Sequence, residues 1–199
     1  MAEITMEMIK ELRARTAAGF MDCKKALQEA GGDMEKAVDI LRKKGLAIAA
    51  KRAAKVTSEG VVAAYIHANN KIGVLVEINC ETDFVARTDE FKEFAHNVAM
   101  QIAATNPLAV SREEVPQEVL EREKKLYEEQ ARESGKPENV IEKIVQGKLE
   151  KFYQEAVLLE QPYIKNPDLT IQDLLNELIT KTGEKIVIRR FARFQVGEE

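Results

Sequence analysis

The sequence predicts an α+β fold: an N-terminal three-helix bundle, then a core of a three-stranded antiparallel sheet with helices packed on one face. Apolar residues recur at helical spacing over the first 45 positions, and the period then switches to two in runs at 61–66, 72–80 and 186–196. Between the last two runs lie segments of helical period, beginning with the stripe Phe91, Phe94, Ala95, Val98, Ala99 and Ile102.

In the bundle, Thr5 is placed to cap the first helix, with Ile4 and Ile9 as a hydrophobic staple across the cap. Ala17-Ala18-Gly19 breaks that helix. The second runs from about 20 to 30 with Ala26 and Leu27 inward, and Gly31-Gly32 turns the chain. Asp33 caps the third, where Met34, Ala37, Val38 and Leu41 share a face, and Gly45 is expected to end it. The expected domains are therefore a bundle over 1–45, a basic helical linker over 46–58 and an α+β core over 59–199.

In the core, Asn69-Asn70-Lys71 joins the first two strands as a hairpin. Ile72, Val74, Val76, Ile78 and Cys80 share one face; Leu75, Glu77 and Asn79 share the other, which is expected to be largely wet. Thr88 caps the Phe91 helix, with Asp89 and Glu90 against its positive end. A charged helical pair follows over about 116–155, turned at Gly135-Lys136-Pro137, with Val119, Leu120, Tyr127 and Ala131 facing Ile141, Ile144, Val145, Leu149 and Phe152. A capping box from Thr170 to Asp173 opens a short helix that Gly183 closes. In the final strand, alternation places Ile186, Ile188, Ala192, Phe194 and Val196 on one face, with Arg189, Arg193 and Gln195 on the other.

Composition narrows the class. The chain has 199 residues, 45% apolar and 32% charged, which is globular composition with a charge-rich surface. No run approaches the roughly 18 apolar residues of a membrane span, and the N-terminus lacks the pattern of a signal peptide, so the expected location is the cytoplasm. Cys23 and Cys80 are too few for a disulfide framework or a zinc site and read as small buried thiols; His67 and His96, equally isolated, read as structural. Net charge is −4, yet residues 1–58 hold 12 basic and 8 acidic side chains, while 113–160 hold 8 and 13. Arg42, Lys43, Lys44, Lys51, Arg52 and Lys55 form a run without an acid, open to nucleic acid or to an acidic surface. No aromatic ring is interleaved for base stacking, so a solvated helix is the reading favoured.

Catalytic patterns are absent. There is no Walker loop, no dinucleotide fingerprint, no nucleophile elbow and no zincin helix, and acid pairs such as Glu113-Glu114 and Glu128-Glu129 sit on charged helical faces. The expectation is a protein that is not an enzyme and that holds no metal, cofactor or nucleotide of its own. The most informative stretch is Thr82-Asp83-Phe84-Val85, which puts a large apolar ring at a strand-to-helix turn where loops carry polar groups. Such a ring either folds back or inserts into a partner.

Two stretches together resemble the translation elongation factor Ts family, the guanine-nucleotide exchange factors of elongation factor Tu. One is Leu12-Arg13-Ala14-Arg15-Thr16 with Gly19-Phe20-Met21-Asp22-Cys23-Lys24-Lys25-Ala26-Leu27, and the other runs from Glu77 through Thr82-Asp83-Phe84-Val85 to Arg87. Ser134-Gly135-Lys136-Pro137 and Gln161-Pro162-Tyr163 extend the likeness over nearly the whole chain. The resemblance implies that Thr82, Asp83, Phe84 and Val85 act on the partner GTPase: the phenylalanine enters a pocket between its helices and dislocates bound magnesium. It also implies that the bundle docks on the same GTPase near Leu12, Arg13, Met21 and Lys24.

The family usually has glycine where this chain has Ala17, and many members carry two related core halves where one is evident here. A homodimer would supply the second half. Two rival readings come from the residues: an adaptor whose bundle resembles ubiquitin-associated domains, and nucleic-acid binding through residues 42–55.

Overall fold

The computed structural model describes residues 4–16, 18–135 and 137–198. Ile9, Leu12, Cys23, Ala26, Leu27, Ala37 and Leu41 are buried together, and their spacing makes one face of each of three helices: α1 (Met6–Thr16), α2 (Phe20–Glu29) and α3 (Met34–Arg52). The expected caps form: Thr5 Oγ1 accepts the Met8 N–H and Asp33 accepts that of Lys36. The expected difference at Ala17 lies outside the described residues.

The third helix does not stop at Gly45. It continues to Arg52, so most of the predicted linker is helix, and its partly buried Ile48 packs on the main core. Gly45 answers a different need, because a Cβ there would lie 2.5 Å from Thr180 Oγ1 and 3.3 Å from the Asn176 carbonyl oxygen. Glycine is thus the residue that lets α3 cross α8 (Ile171–Thr182) at close range.

Three strands form an antiparallel sheet in the order β1 (Glu59–Ile66), β2 (Ile72–Cys80), β5 (Val187–Gln195). Val74, Val76, Ile78 and Cys80 point inward and meet the stripe of α5 (Asp89–Thr105), in which Phe91, Ala95, Val98, Ala99 and Ile102 are fully buried. The Leu175, Leu178 and Ile179 face of α8 closes the same core. Helix α8 carries the predicted capping box between Thr170 and Asp173 and ends at Gly183.

The last strand departs from simple alternation. Glu77 pairs with Arg190 but Ile78 pairs with Ile188, so Arg189 is the extra residue of a β-bulge. Inserting one residue reverses the facing of everything beyond it. Phe191 therefore turns inward opposite Val76, Arg193 opposite Val74, and Ala192, Phe194 and Val196 turn outward, contrary to expectation. The outer face carries the Glu77–Arg190 ion pair and also an apolar strip of Val62, Ile66, Leu75 and Phe194, the last 70% exposed.

The charged pair forms as α6 (Gln117–Glu133) and α7 (Glu138–Ala156), closed on a small core of Ala131, Ile141 and Val145 with Tyr127, Ile144 and Leu149. Gly135 and Pro137 bound the corner, and Lys136 lies outside the described residues. At the base of the pair, Arg112 binds the carboxylates of Glu150 and Glu160 and lies 4.3 Å from the centre of the Tyr153 ring.

A two-stranded ribbon, β3 (Pro162–Tyr163) and β4 (Asn166–Thr170), had no clear alternation to announce it. It is tied to α5 through two buried amides. Gln101 Nε2 donates to Gln161 Oε1 at 3.2 Å and to the Pro162 carbonyl at 3.1 Å, while Gln101 Oε1 accepts the Ile164 N–H. Gln161 Nε2 donates to the Glu155 carbonyl, and the Thr105 hydroxyl lies 2.7 Å from Gln161 Oε1. This network gives the Gln161-Pro162-Tyr163 stretch its physical meaning.

Candidate functional site

Strand β2 ends at Cys80, and the chain turns through Glu81 and Thr82 into the four-residue helix α4 (Asp83–Ala86). Thr82 is its N-cap, with Oγ1 accepting the Val85 N–H at 3.4 Å. Thr88 holds the other end, donating to the Val85 carbonyl at 2.8 Å while accepting the Phe91 N–H. Val85 and Ala86 pack on the main core, so Phe84, about 100° round the helix from Val85, points away from it and is 79% exposed. The turn therefore presents a bare ring on a short, capped helix. Asp83 is not the cap; its carboxylate pairs with Arg87 at 2.8 Å.

Behind the ring the loop is fastened by charge-assisted hydrogen bonds that the sequence did not announce. Glu184 follows Gly183 at the end of α8, and its Oε2 accepts the N–H groups of Glu81 at 3.2 Å and Thr82 at 3.1 Å. Its Oε1 accepts the Thr82 hydroxyl at 2.7 Å. The Glu81 carboxylate accepts the Lys185 N–H at 2.7 Å and both oxygens receive Arg52 Nη1, at 2.9 and 2.8 Å. That Lys185 N–H, with Arg52, holds the Glu81 carboxyl below the usual carboxylate range. Lys185 Nζ donates to the carbonyls of Ala53 and Lys55, completing a junction of α3, the β2 end and the β5 start.

Beneath the junction, burial pushes the Cys80 thiol up to about 11, with Glu184 adding to the shift, and the protonated thiol donates to the Thr82 carbonyl at 3.1 Å. Cys23 is likewise buried, and both cysteines are free. His67 bonds the Tyr65 hydroxyl through Nδ1, and His96 lies edge-on to the Tyr65 ring. Both histidines are thus engaged with a neighbouring side chain. Among the described residues no cluster of His, Cys, Asp and Glu is placed to hold a metal, and no helix is long and apolar enough to cross a membrane.

On the bundle the expected contact residues separate. Leu12 is completely buried in the bundle core, so its side chain is not presented to a partner; Arg13, Met21 and Lys24 are exposed. Phe20, beside Met21 at the start of α2, is also exposed. The spacing of Ile9 and Leu12 puts both on the inward stripe of α1, and the packing of α1 on α2 and α3 covers Leu12.

The basic run is partly committed within the chain. Arg42 faces Asp173 at 4.0 Å, Lys44 pairs with Asp22 and Arg52 with Glu81. Half of the six cations thus meet a carboxylate, which weakens the case for a phosphate-tracking surface.

The description "Elongation factor TS" belongs to the family model that matches residues 2–198. The chain is 65% identical over 195 residues to elongation factor Ts of Carboxydothermus hydrogenoformans, covering 98% of this chain and 90% of that one. It is 63% identical over 197 residues to the Syntrophobacter fumaroxidans protein of the same name, covering 99% and 98%, and 61% identical over 198 residues to that of Desulfosudis oleivorans, covering each in full. With matches over nearly the whole chain, and with the capped, outward-facing Phe84 turn in the place where the motif falls, the protein belongs to the elongation factor Ts family of translation elongation factors.

Proposed function

We propose that the protein is the guanine-nucleotide exchange factor of elongation factor Tu in the cytoplasm, and that Thr82, Asp83, Phe84 and Val85 form the wedge that promotes GDP release. The observation that carries this is Phe84, an apolar ring left 79% exposed on a helix whose two ends are both capped. An exposed, rigidly mounted aromatic is an anchor for a partner's pocket.

The wedge acts by displacement. Magnesium demands near-ideal octahedral coordination at short distances, so a small shift of its ligands in the GTPase weakens it, and GDP leaves. If the factor weakens GDP binding by some ratio, GDP weakens factor binding by the same ratio. Incoming nucleotide therefore expels the factor, and excess GTP sets the direction. No covalent bond is made or broken, so the protein needs no catalytic group or cofactor.

The bundle supplies a second hold through Arg13, Met21 and Lys24, and helix α3 joins the two contacts as one continuous rod ending at the Arg52–Glu81 pair. We also propose that the chain works as a homodimer joined through the outer sheet face, whose apolar strip of Val62, Ile66, Leu75 and Phe194 is uncovered in the single chain. Capture of purified elongation factor Tu on the immobilised protein, with and without GDP, tests the exchange reading. Capture that GDP reverses is expected; no capture, or capture indifferent to GDP, refutes it.

A further inference from the structure

We propose that Glu184 is a positioning residue for exchange: it sets the angle at which Phe84 is presented, by holding the capping residue of α4. This rests on the exchange reading above and adds a residue that the Thr82 motif does not contain. Glu184 lies 102 positions beyond Thr82, yet its two carboxylate oxygens take three donors from two adjacent residues, the N–H groups of Glu81 and Thr82 and the Thr82 hydroxyl. Once that hydroxyl proton is committed to Glu184, the lone pairs of Thr82 Oγ1 are left to accept the Val85 N–H. One carboxylate thus fixes the backbone before the turn and the rotamer of the cap within it.

Position and rigidity follow from the fold. Glu184 stands directly after the left-handed Gly183 that ends α8, and its own N–H is held by Thr182 Oγ1 at 3.3 Å. The buried Ile186 then leads into β5. The carboxylate is therefore anchored to the core while Phe84 is not, and the angle of Phe84 is set through Thr82. Among the described residues Glu184 takes part in no ion pair, so its acceptors serve the wedge loop rather than a cation.

The test is stopped-flow release of a fluorescent GDP from elongation factor Tu, read across concentrations of the full chain carrying Glu184→Gln, Phe84→Ala or both. The amide keeps size but loses one acceptor and the charge. The plateau rate is expected to fall roughly 10-fold in Glu184→Gln, because an ångström of misplacement is costly to a positioned group. The half-saturating concentration stays within about 3-fold, since the bundle contacts are untouched. A merely structural loss would do the reverse, raising the half-saturating concentration by shrinking the active fraction and leaving the plateau alone. Amide exchange at Glu81 and Thr82 accelerates roughly 10-fold while that at Val76 and Ile78 is unchanged. In the Phe84→Ala background, Glu184→Gln has no further effect.

An unchanged plateau in Glu184→Gln beside a lowered one in Phe84→Ala overturns this inference and leaves the exchange reading standing. A further 10-fold loss in the double variant also overturns it, because Glu184 would then act on something other than Phe84. A wild-type plateau in Phe84→Ala removes the wedge itself. Glu184→Asp, which keeps the charge and withdraws the carboxylate by a methylene, gives the same plateau loss and replaces the amide if that variant does not fold.

Discussion

Replacing Phe84 with alanine separates folding from function on a single side chain. A phenylalanine presents roughly 200 Å² for burial, and Phe84 is 79% exposed, so about a fifth of its ring contributes to this fold. At about 25 cal/mol per Å² that fifth is worth on the order of 1 kcal/mol, and the better helix propensity of alanine returns part of it. The exposed remainder, seated in a partner, would be worth about 4 kcal/mol, an upper figure because ordering costs are set against it. A loss of about 2–4 kcal/mol is the ordinary range for an aromatic anchor, and it lowers the second-order rate of GDP release by roughly 30- to 900-fold. Stopped-flow release of fluorescent GDP at subsaturating factor measures this, with a thermal melt run in parallel. A rate within about 3-fold of wild type, with the melt unchanged, refutes the wedge.

Gln161→Leu should cost about 2–4 kcal/mol, because it strands the Glu155 carbonyl and removes the acceptor shared by Gln101 and Thr105; urea denaturation checks it, and a change below about 0.5 kcal/mol would contradict the network's role. Glu177 lies in the cleft between α3 and α8, where burial, with Asp173 adding and Arg42 opposing, raises its carboxyl to about 7 from an ordinary 4.5. Its ionised form is disfavoured in the fold, so stability falls as pH rises from about 4.5 to about 7. Glu177→Gln should therefore stabilise by about 1–2 kcal/mol at pH 8 after allowing for solvent screening, with no gain below about pH 4.5; a difference independent of pH would refute this. Phe194→Glu puts a charge in the apolar strip of the outer sheet face; if the proposed dimer forms there, light scattering should report single chains for the variant and twice that mass for the wild type. A wild-type mass of one chain at micromolar concentration removes the dimer.

Local rules predicted most of the elements. Caps at Thr5, Asp33, Thr88 and Thr170 need only neighbours three residues away, and each is seen to accept the expected N–H. The alternation of β2 and the stripe of α5 are likewise local, and they place the strand, the turn and the helix that frame Phe84. Whether the ring folds back or faces out was not legible: the packing of Val85 and Ala86 on the main core is what turns Phe84 outward.

Other features depended on partners far away in sequence. Gly45 looks like a helix stop until Thr180 and Asn176 approach it. The bulge at Arg189 shows in the sequence only as Arg190 falling on the apolar side and Phe191 on the polar side of a strict alternation; pairing with Glu77 and Ile78 decides where the shift lies, and it moved Phe194 from the expected core to the open face. Glu184 and Arg52 reach the Thr82 loop across 102 and 29 positions, distances at which no motif spacing operates. The sequence by itself determined that an aromatic would stand at the end of a strand, because propensity, periodicity and capping act within a turn or two. Only the tertiary structure decided what holds that aromatic still, because a carboxylate shared by two backbone N–H groups and a hydroxyl exists only once α8 has packed beside the sheet.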